Sequence, residues 1–344
     1  MAFDSAKAEA SNSTDDDYVY IYIDNCTSAP PVAPTLCTDE LCVLLAIANV
    51  IIMFLGITGN GLVIWIAGFK IKKTVNTIWY LSLAVSDFLF CAFLPLTVVY
   101  SVKKSWVFGH FMCKLAPFVV LLNMLSSIFL LLLISVDRCV VVMFPVWAQN
   151  KRSKCRALVM VLLAWIFSVL LSLPVAIFRE TAEDNSEQIC YNKYAHDEQH
   201  ITVVVCHFIF GFVIPLLIII ICYVVIIRKL KNNQMASSNK PFKVMTVLIV
   251  AFFISWMPYH FFKLWELNRK DSIVSDGQKF ASTLASANSF MNPLLYAFMG
   301  KDFKKKCYAL LSKIENAFEE EAKSTLRGTS VTNTGDSKHT NTSV

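Results

Sequence analysis

Residues Phe111 to Met143 read FMCKLAPFVVLLNMLSSIFLLLLISVDRCVVVM, with no charged side chain between Lys114 and Asp137. A helix crosses the roughly 30 Å hydrocarbon layer of a bilayer with about 20 predominantly apolar residues. This run is longer than required, which suits a strongly tilted span. Six further blocks meet the same test: Cys42 to Phe69, Thr77 to Val99, Ala157 to Phe178, Ile201 to Ile227, Val244 to Leu267 and Phe280 to Met299. Backbone polar groups in lipid must pair within their own segment, so the expected fold is all-α, a bundle of seven transmembrane helices.

Composition agrees. Of 344 residues, 56% are hydrophobic and 16% charged, against about 45–50% and about 25% for soluble domains. This excludes a disordered chain, a collagen, a disulfide-stapled secreted domain and a cytosolic enzyme. Lys70, Lys72 and Lys73 follow the first block, Lys151, Arg152, Lys154 and Arg156 the third, and Arg228, Lys229, Lys231, Lys240 and Lys243 the fifth. None of these loops holds Asp or Glu. The positive-inside rule therefore puts the N-terminus outside. The net charge of +6 is read as facing anionic lipid, not nucleic acid.

Four regions follow. Residues 1–41 form an acidic outer tail without the pattern of a cleavable signal peptide, so the first helix is expected to direct insertion. The tail carries glycosylation sequons at Asn12 and Asn25. Between them, Asp15 to Asp24 is either a solvated segment or an anionic lure for a basic ligand, with its tyrosines as candidates for sulfation. Residues 42–300 hold the bundle. Residues 301–315 begin Lys301-Asp302-Phe303-Lys304-Lys305-Lys306, a short amphipathic helix for the membrane surface with Cys307 as a palmitoylation point. Residues 316–344, rich in Ser and Thr, are read as a disordered tail open to phosphorylation.

Cys113 and Cys190 both fall on the oxidising outer side and are expected to pair, whereas Cys91, Cys139, Cys155, Cys206, Cys222 and Cys307 are expected to stay reduced. Cys26 could bridge to Cys37, with Cys42 as a competing partner. Asp87 lies inside the second block, where an ionisable group is costly and points to function. With Asn60, Asn123, Ser127, Asn288 and Asn292 it makes either a hard-cation site or a hydrogen-bonded packing network. Pro95, Pro174, Pro215, Pro258 and Pro293 each interrupt a span, and kinks of this kind suit a bundle that changes shape. His196 and His200 flank Asp197-Glu198 at helical spacing. The residue after the first His is Asp197, so a solvated, pH-sensitive junction is favoured over a metal site.

Gly59-Asn60, Asp87, Asp137-Arg138-Cys139, Trp165, Pro215 with Tyr223, Trp256-Met257-Pro258 and Asn292-Pro293-Leu294-Leu295-Tyr296 lie in order, one signature per block. The set resembles the rhodopsin-like (class A) G-protein-coupled receptors. Trp106-Val107-Phe108-Gly109, and Phe144 to Asn150 (FPVWAQN), are similar to chemoattractant receptors. Pro258-Tyr259-His260, Trp265-Glu266-Leu267, Lys240 to Lys243 and Phe298 to Phe303 most resemble the chemerin receptors, with formyl-peptide receptors next. Cys139, Ser255, Phe290 and His207 depart from the commoner residues at their positions, and His207 lowers the formyl-peptide reading.

The resemblance implies a cell-surface receptor in the plasma membrane. Its ligand would be a peptide or small-protein chemoattractant, chemerin-like by preference. It would signal through an inhibitory heterotrimeric G protein to chemotaxis, with receptor kinases and arrestin acting on the tail. The alternatives are a scavenging or arrestin-biased decoy and a formyl- or complement-peptide receptor. A retinal pump or photoreceptor is excluded by the absence of Lys from Phe280 to Met299, and no catalytic constellation is present. Arg138 would pair with Asp137 at rest, and Tyr223 and Tyr296 would hold it after the sixth span swings out. Phe252, Trp256, Pro258, Asn292 and Pro293 would relay the change. Asp87, Asn123, Ser127 and Asn288 would hold an allosteric sodium ion, with no other cofactor. By helical register, Arg179, His207, Lys263, Glu266, Gln278 and Ser282 would ring the outer mouth. A ligand carboxylate would seek Arg179, Lys263 or His207, and an amine would seek Glu266.

Overall fold

A computed structural model describes residues 39–184, 187–232, 240–268 and 272–299, together with 308, 309 and 312. Asn12, Asn25, Cys26, Cys37, Cys307, most of the amphipathic segment, the Ser/Thr-rich tail and the side chain of Tyr296 fall outside these residues.

The chain runs through α1 (Glu40–Trp65), α2 (Val75–Lys103), α3 (Gly109–Met143), α4 (Pro145–Lys151) and α5 (Lys154–Ile177). A hairpin of β1 (Arg179–Asp184) and β2 (Glu187–Asn192) comes next, followed by α6 (Asp197–Phe208), α7 (Ile214–Asn232), α8 (Lys240–Glu266) and α9 (Ser272–Met299). A π-helical turn, Ile66–Lys70, ends α1, and another, Ile209–Val213, joins α6 to α7 in one span. By length and composition, five membrane-crossing helices are found among the described residues: Glu40–Lys70, Val75–Lys103, Gly109–Met143, Lys154–Ile177 and Asp197–Lys231. Helices α8 and α9 complete the seven-helix bundle.

Local chemistry sets the boundaries. Thr74 caps α2 by accepting from the Thr77 amide at 3.2 Å, and Ser153 caps α5 through Arg156, each satisfying an orphan N–H. Lys104 closes α2 in the left-handed region at φ 58°. Pro145 opens α4, where its missing N–H costs nothing. Pro215 offers no N–H to the preceding turn, which accounts for the widened π turn just before it.

Helix α3 is the axis, packed on α2, α5 and α7. Two-thirds (67%) of its most apolar window is buried, against 17% for α1 and for α5, whose outer faces meet lipid. The main core gathers Trp79 and Leu83 of α2, Leu125, Ile128 and Ile134 of α3, and Phe252 and Trp256 of α8. Helices α1 and α2 approach closely at Gly56, where a Cβ would run into the Cys91 side chain.

Three features depart from the sequence reading. Helix α9 begins at Ser272, not Phe280, because Ser272 to Lys279 continue the helix beyond the apolar block. The second outer loop is a β-hairpin in register Arg179↔Asn192 through Asp184↔Glu187. The inner loop after α3 contains the helix α4. The Cys113–Cys190 bond is present and ties the hairpin to α3. Cys42 is disulfide-bonded, and Cys91, Cys139, Cys155, Cys206 and Cys222 are free thiols.

Candidate functional site

Four groups of residues follow the bundle axis. In the middle layer, Asp87 is fully buried. It accepts from Asn123 Nδ2 at 2.9 Å and from Asn292 Nδ2 at 2.6 Å, one amide on each carboxylate oxygen. Charge-assisted bonds of this length are the means by which a buried carboxylate is tolerated. Asn123 also donates to Ser86 Oγ at 3.1 Å, and the Ser86 and Ser126 hydroxyls meet at 2.5 Å. Ser289 donates to Asn123 Oδ1 at 3.4 Å, and Asn60 donates to the Ser289 carbonyl at 2.8 Å. Among the described residues, Ser127 Oγ and Asn60 Oδ1 are buried without a hydrogen-bond partner.

The expected set is thus partly rearranged. Asp87, Asn123 and Asn292 are brought together, while Ser126 and Ser289 take up hydrogen bonds beside the anticipated Ser127 and Asn288. Ser86, Ser126 and Ser289 were missed, although each is a sequence neighbour of a residue singled out from the sequence. As for a sodium ion, the oxygen chemistry fits. A carboxylate and two buried oxygen atoms without partners, Asn60 Oδ1 and Ser127 Oγ, are the hard ligands such a cation takes.

Above this layer lies an aromatic column on α8. Phe252, wholly buried, has its ring 6.0 Å from that of Trp256, which meets Tyr259 edge-on at 5.5 Å. His260 packs between Phe208 and Phe212 at 5.7 and 5.0 Å. Pro258 lies within the column and leaves one α8 carbonyl without its usual donor. On α9, Pro293 crowds Gly59 of α1.

At the mouth, Lys263 Nζ binds Glu266 Oε2 at 2.8 Å. Gln278 of α9 joins them: with its amide nitrogen toward α8 it donates to Glu266 Oε2 at 3.1 Å and accepts from Lys263. These three expected residues therefore form one cluster. Two others are engaged by backbone carbonyls. Arg179 is buried at the root of β1, where it donates to the Cys190 carbonyl at 3.1 Å and braces the hairpin. His207 donates from Nε2 to the Leu171 carbonyl at 2.8 Å, toward α5. Ser282 accepts from Ser286 through its backbone carbonyl. Tyr194, in the loop before α6, is packed between the rings of Phe178 and His200 at 4.8 and 4.9 Å. Burial pushes its phenol up to about 12, against the opposing pull of Arg179. His200 is buried in this stack while His196 is exposed with extended backbone at the helix start, so the two share no site.

At the inner end the expected pair is corrected. Asp137 binds Arg152 in a two-pronged contact, Nε to Oδ1 and Nη2 to Oδ2, both at 2.8 Å. Arg138 turns to α2, donating to Asn76 Oδ1 at 2.6 Å and hydrogen-bonding Tyr80. A bidentate fork leaves the carboxylate little room for a second guanidinium. Tyr223 is hydrogen-bonded to Thr246 of α8.

Residues 59–296, which contain all four groups, match the family model of the 7 transmembrane receptor (rhodopsin family). The chain belongs to this family. The receptor is 44% identical to the human Chemerin-like receptor 1 over 301 residues, 81% of each chain. It is 40% identical to the C3a anaphylatoxin chemotactic receptor of Danio rerio over 304 residues, 86% of this chain and 83% of the other. It is 39% identical to Formyl peptide receptor 2 of Mus musculus over 298 residues, 79% of this chain and 84% of the other. It is a multi-pass plasma-membrane protein of the chemoattractant receptor group and not an enzyme.

Proposed function

We propose that this receptor is switched by a peptide or small-protein chemoattractant, chemerin-like in class, and signals through an inhibitory heterotrimeric G protein. The observation that carries the ligand reading is the Lys263–Glu266–Gln278 cluster. Its two opposite charges, Lys263 with only 3% of its surface exposed, satisfy each other until a ligand brings replacements. A peptide carboxylate takes Lys263, and an amine or basic side chain takes Glu266. Arg179 and His207, engaged by backbone carbonyls, position the walls. A ligand that separates the pair binds one arrangement of α8 and α9 better than the other, which is all that is needed to shift a two-state equilibrium.

The shift passes from Tyr259 through Trp256 and Phe252 to the polar layer. There Asp87, Asn123, Ser127 and Asn288 are the residues proposed to hold sodium, with Asn60 Oδ1 as a further oxygen. The ion would supply positive charge opposite Asp87 in the resting arrangement. At the inner face, movement of α8 separates Thr246 from Tyr223 and opens room beside Arg138 for a helix of the G protein. Receptor kinases and arrestin act on the Ser/Thr-rich tail.

The test is G-protein dissociation in transfected cells exposed to chemerin, formylated and complement-derived peptides. Dissociation by chemerin, lost in Lys263→Ala or Glu266→Ala at normal surface display, is the expected result. Arrestin recruitment without dissociation would make the chain a decoy. A response only to formylated or complement peptides would reassign the ligand.

A further inference from the structure

The side chains of Cys139 and Cys222 meet across the packed faces of α3 and α7. Cys139 is half-buried and follows Arg138 in the chain, whereas Cys222 is 8% exposed and precedes Tyr223. Both are free thiols. The other free cysteines have different surroundings: Cys91 lies against Gly56 of α1, and Cys155 is exposed at the inner start of α5. Sulfur atoms already in contact need little backbone movement to reach the Cα separation of about 5.5–6 Å that a disulfide takes. The pair lies toward the inner side of the membrane, where glutathione holds thiols reduced and can reopen a disulfide by exchange. Tyr223, next to Cys222, is hydrogen-bonded to Thr246 of α8.

We propose that Cys139 and Cys222 form a redox modification site, at which hydrogen peroxide converts the two thiols to a disulfide that staples α3 to α7. Cys139, the more open thiol, attacks one peroxide oxygen. The O–O bond breaks, one water leaves, and Cys139 becomes a sulfenic acid. The Cys222 sulfur then attacks the Cys139 sulfur, and the displaced hydroxyl leaves as a second water with the Cys222 proton. The two sulfurs together lose two electrons, and one peroxide is reduced to two waters. The staple fixes Tyr223 relative to Arg138 and keeps α7 from shifting against α3, so the oxidised receptor couples poorly until glutathione reopens it. This effect on coupling rests on the inner face being the G-protein site; the disulfide chemistry does not.

The test uses the full-length receptor in lipid nanodiscs. It is treated with hydrogen peroxide, its remaining thiols are alkylated in denaturant, and non-reduced peptides are read by mass spectrometry. A Cys139–Cys222 linked peptide that dithiothreitol dissolves is expected, in Cys155→Ser and Cys206→Ser as in wild type. In Cys222→Ser, Cys139 has no thiol to resolve it and should be trapped by dimedone as the sulfenic acid. Capture of a fluorescent synthetic peptide of the C-terminal helix of an inhibitory Gα should fall about tenfold on oxidation of the wild type, within the usual span of coupling between sites. Peroxide should leave capture by Cys139→Ser unchanged. A Cys139 that stays reduced, or that pairs with a different cysteine, overturns the site. A linked peptide with undiminished capture overturns its role in coupling. Failure of the reduced wild type to capture the peptide, with the linked peptide still formed, would sink the reading of the inner face and leave the modification site standing.

Discussion

Asp87 shows how one residue can report both packing and chemistry. Its carboxylate is wholly buried and reached by the amides of Asn123 and Asn292 and by the Ser289 side chain, while among the described residues Ser127 Oγ and Asn60 Oδ1 are buried without hydrogen-bond partners. Asparagine in its place keeps the shape and removes the charge. Asp87→Asn should therefore abolish any sodium dependence of agonist affinity while leaving surface display intact. The check is radioligand competition in sodium against a large organic cation, and an unchanged sodium effect would remove the ion from the mechanism. At the mouth the same logic applies to Lys263 and Glu266. Lys263→Ala leaves the part-buried Glu266 carboxylate without its cation, so this single loss should exceed that of the Lys263→Ala/Glu266→Ala double variant in thermal unfolding in detergent.

At the scale of elements, close contacts decide which helices move as one. Gly56 lets α1 lie against Cys91 of α2, and a methyl group there has no room. Gly56→Ala should destabilise the receptor by ~1–3 kcal/mol, the usual cost of overpacking. Thermal unfolding in detergent measures it, and combination with Cys91→Ala should recover most of the loss if the contact is the cause. Helices α6 and α7 behave differently. They form one span in which the π turn Ile209–Val213 precedes Pro215, so the outer half, carrying His207, and the inner half, carrying Tyr223, are set at a rotation that a regular helix would not give.

For the whole molecule, the hairpin β1–β2 lies at the outer end of the bundle, beside the proposed ligand mouth. It is tied to α3 by the Cys113–Cys190 bond, to the α2–α3 loop by the Trp106 N–H on the Gln188 carbonyl at 2.6 Å, and braced by Arg179 on the Cys190 carbonyl. Cys190→Ser should loosen the hairpin from α3 and lower ligand affinity about tenfold, because part of the ordering cost then falls on binding. Saturation binding on intact cells reads this, and Arg179→Ala should give a smaller loss in the same direction.

Length of apolar runs, placement of Lys and Arg, and the side of the membrane on which each cysteine falls are properties of the sequence itself. They determined the seven spans, the orientation and the Cys113–Cys190 bond, because lipid forbids unpaired backbone whatever the neighbours are. Rotation of each helix about its axis is another matter. A span that is apolar on every side carries no stripe to say which face is inward, and successive residues point about 100° apart. That is why Ser127 and Asn288 were singled out while Ser126 and Ser289 make the hydrogen bonds. The partner of Asp137 was illegible for a related reason: Arg138 is adjacent in sequence, but Arg152 is brought to it only by the turn of α4. Identity and order of the signature residues were written in the chain; which of them touch was decided by packing.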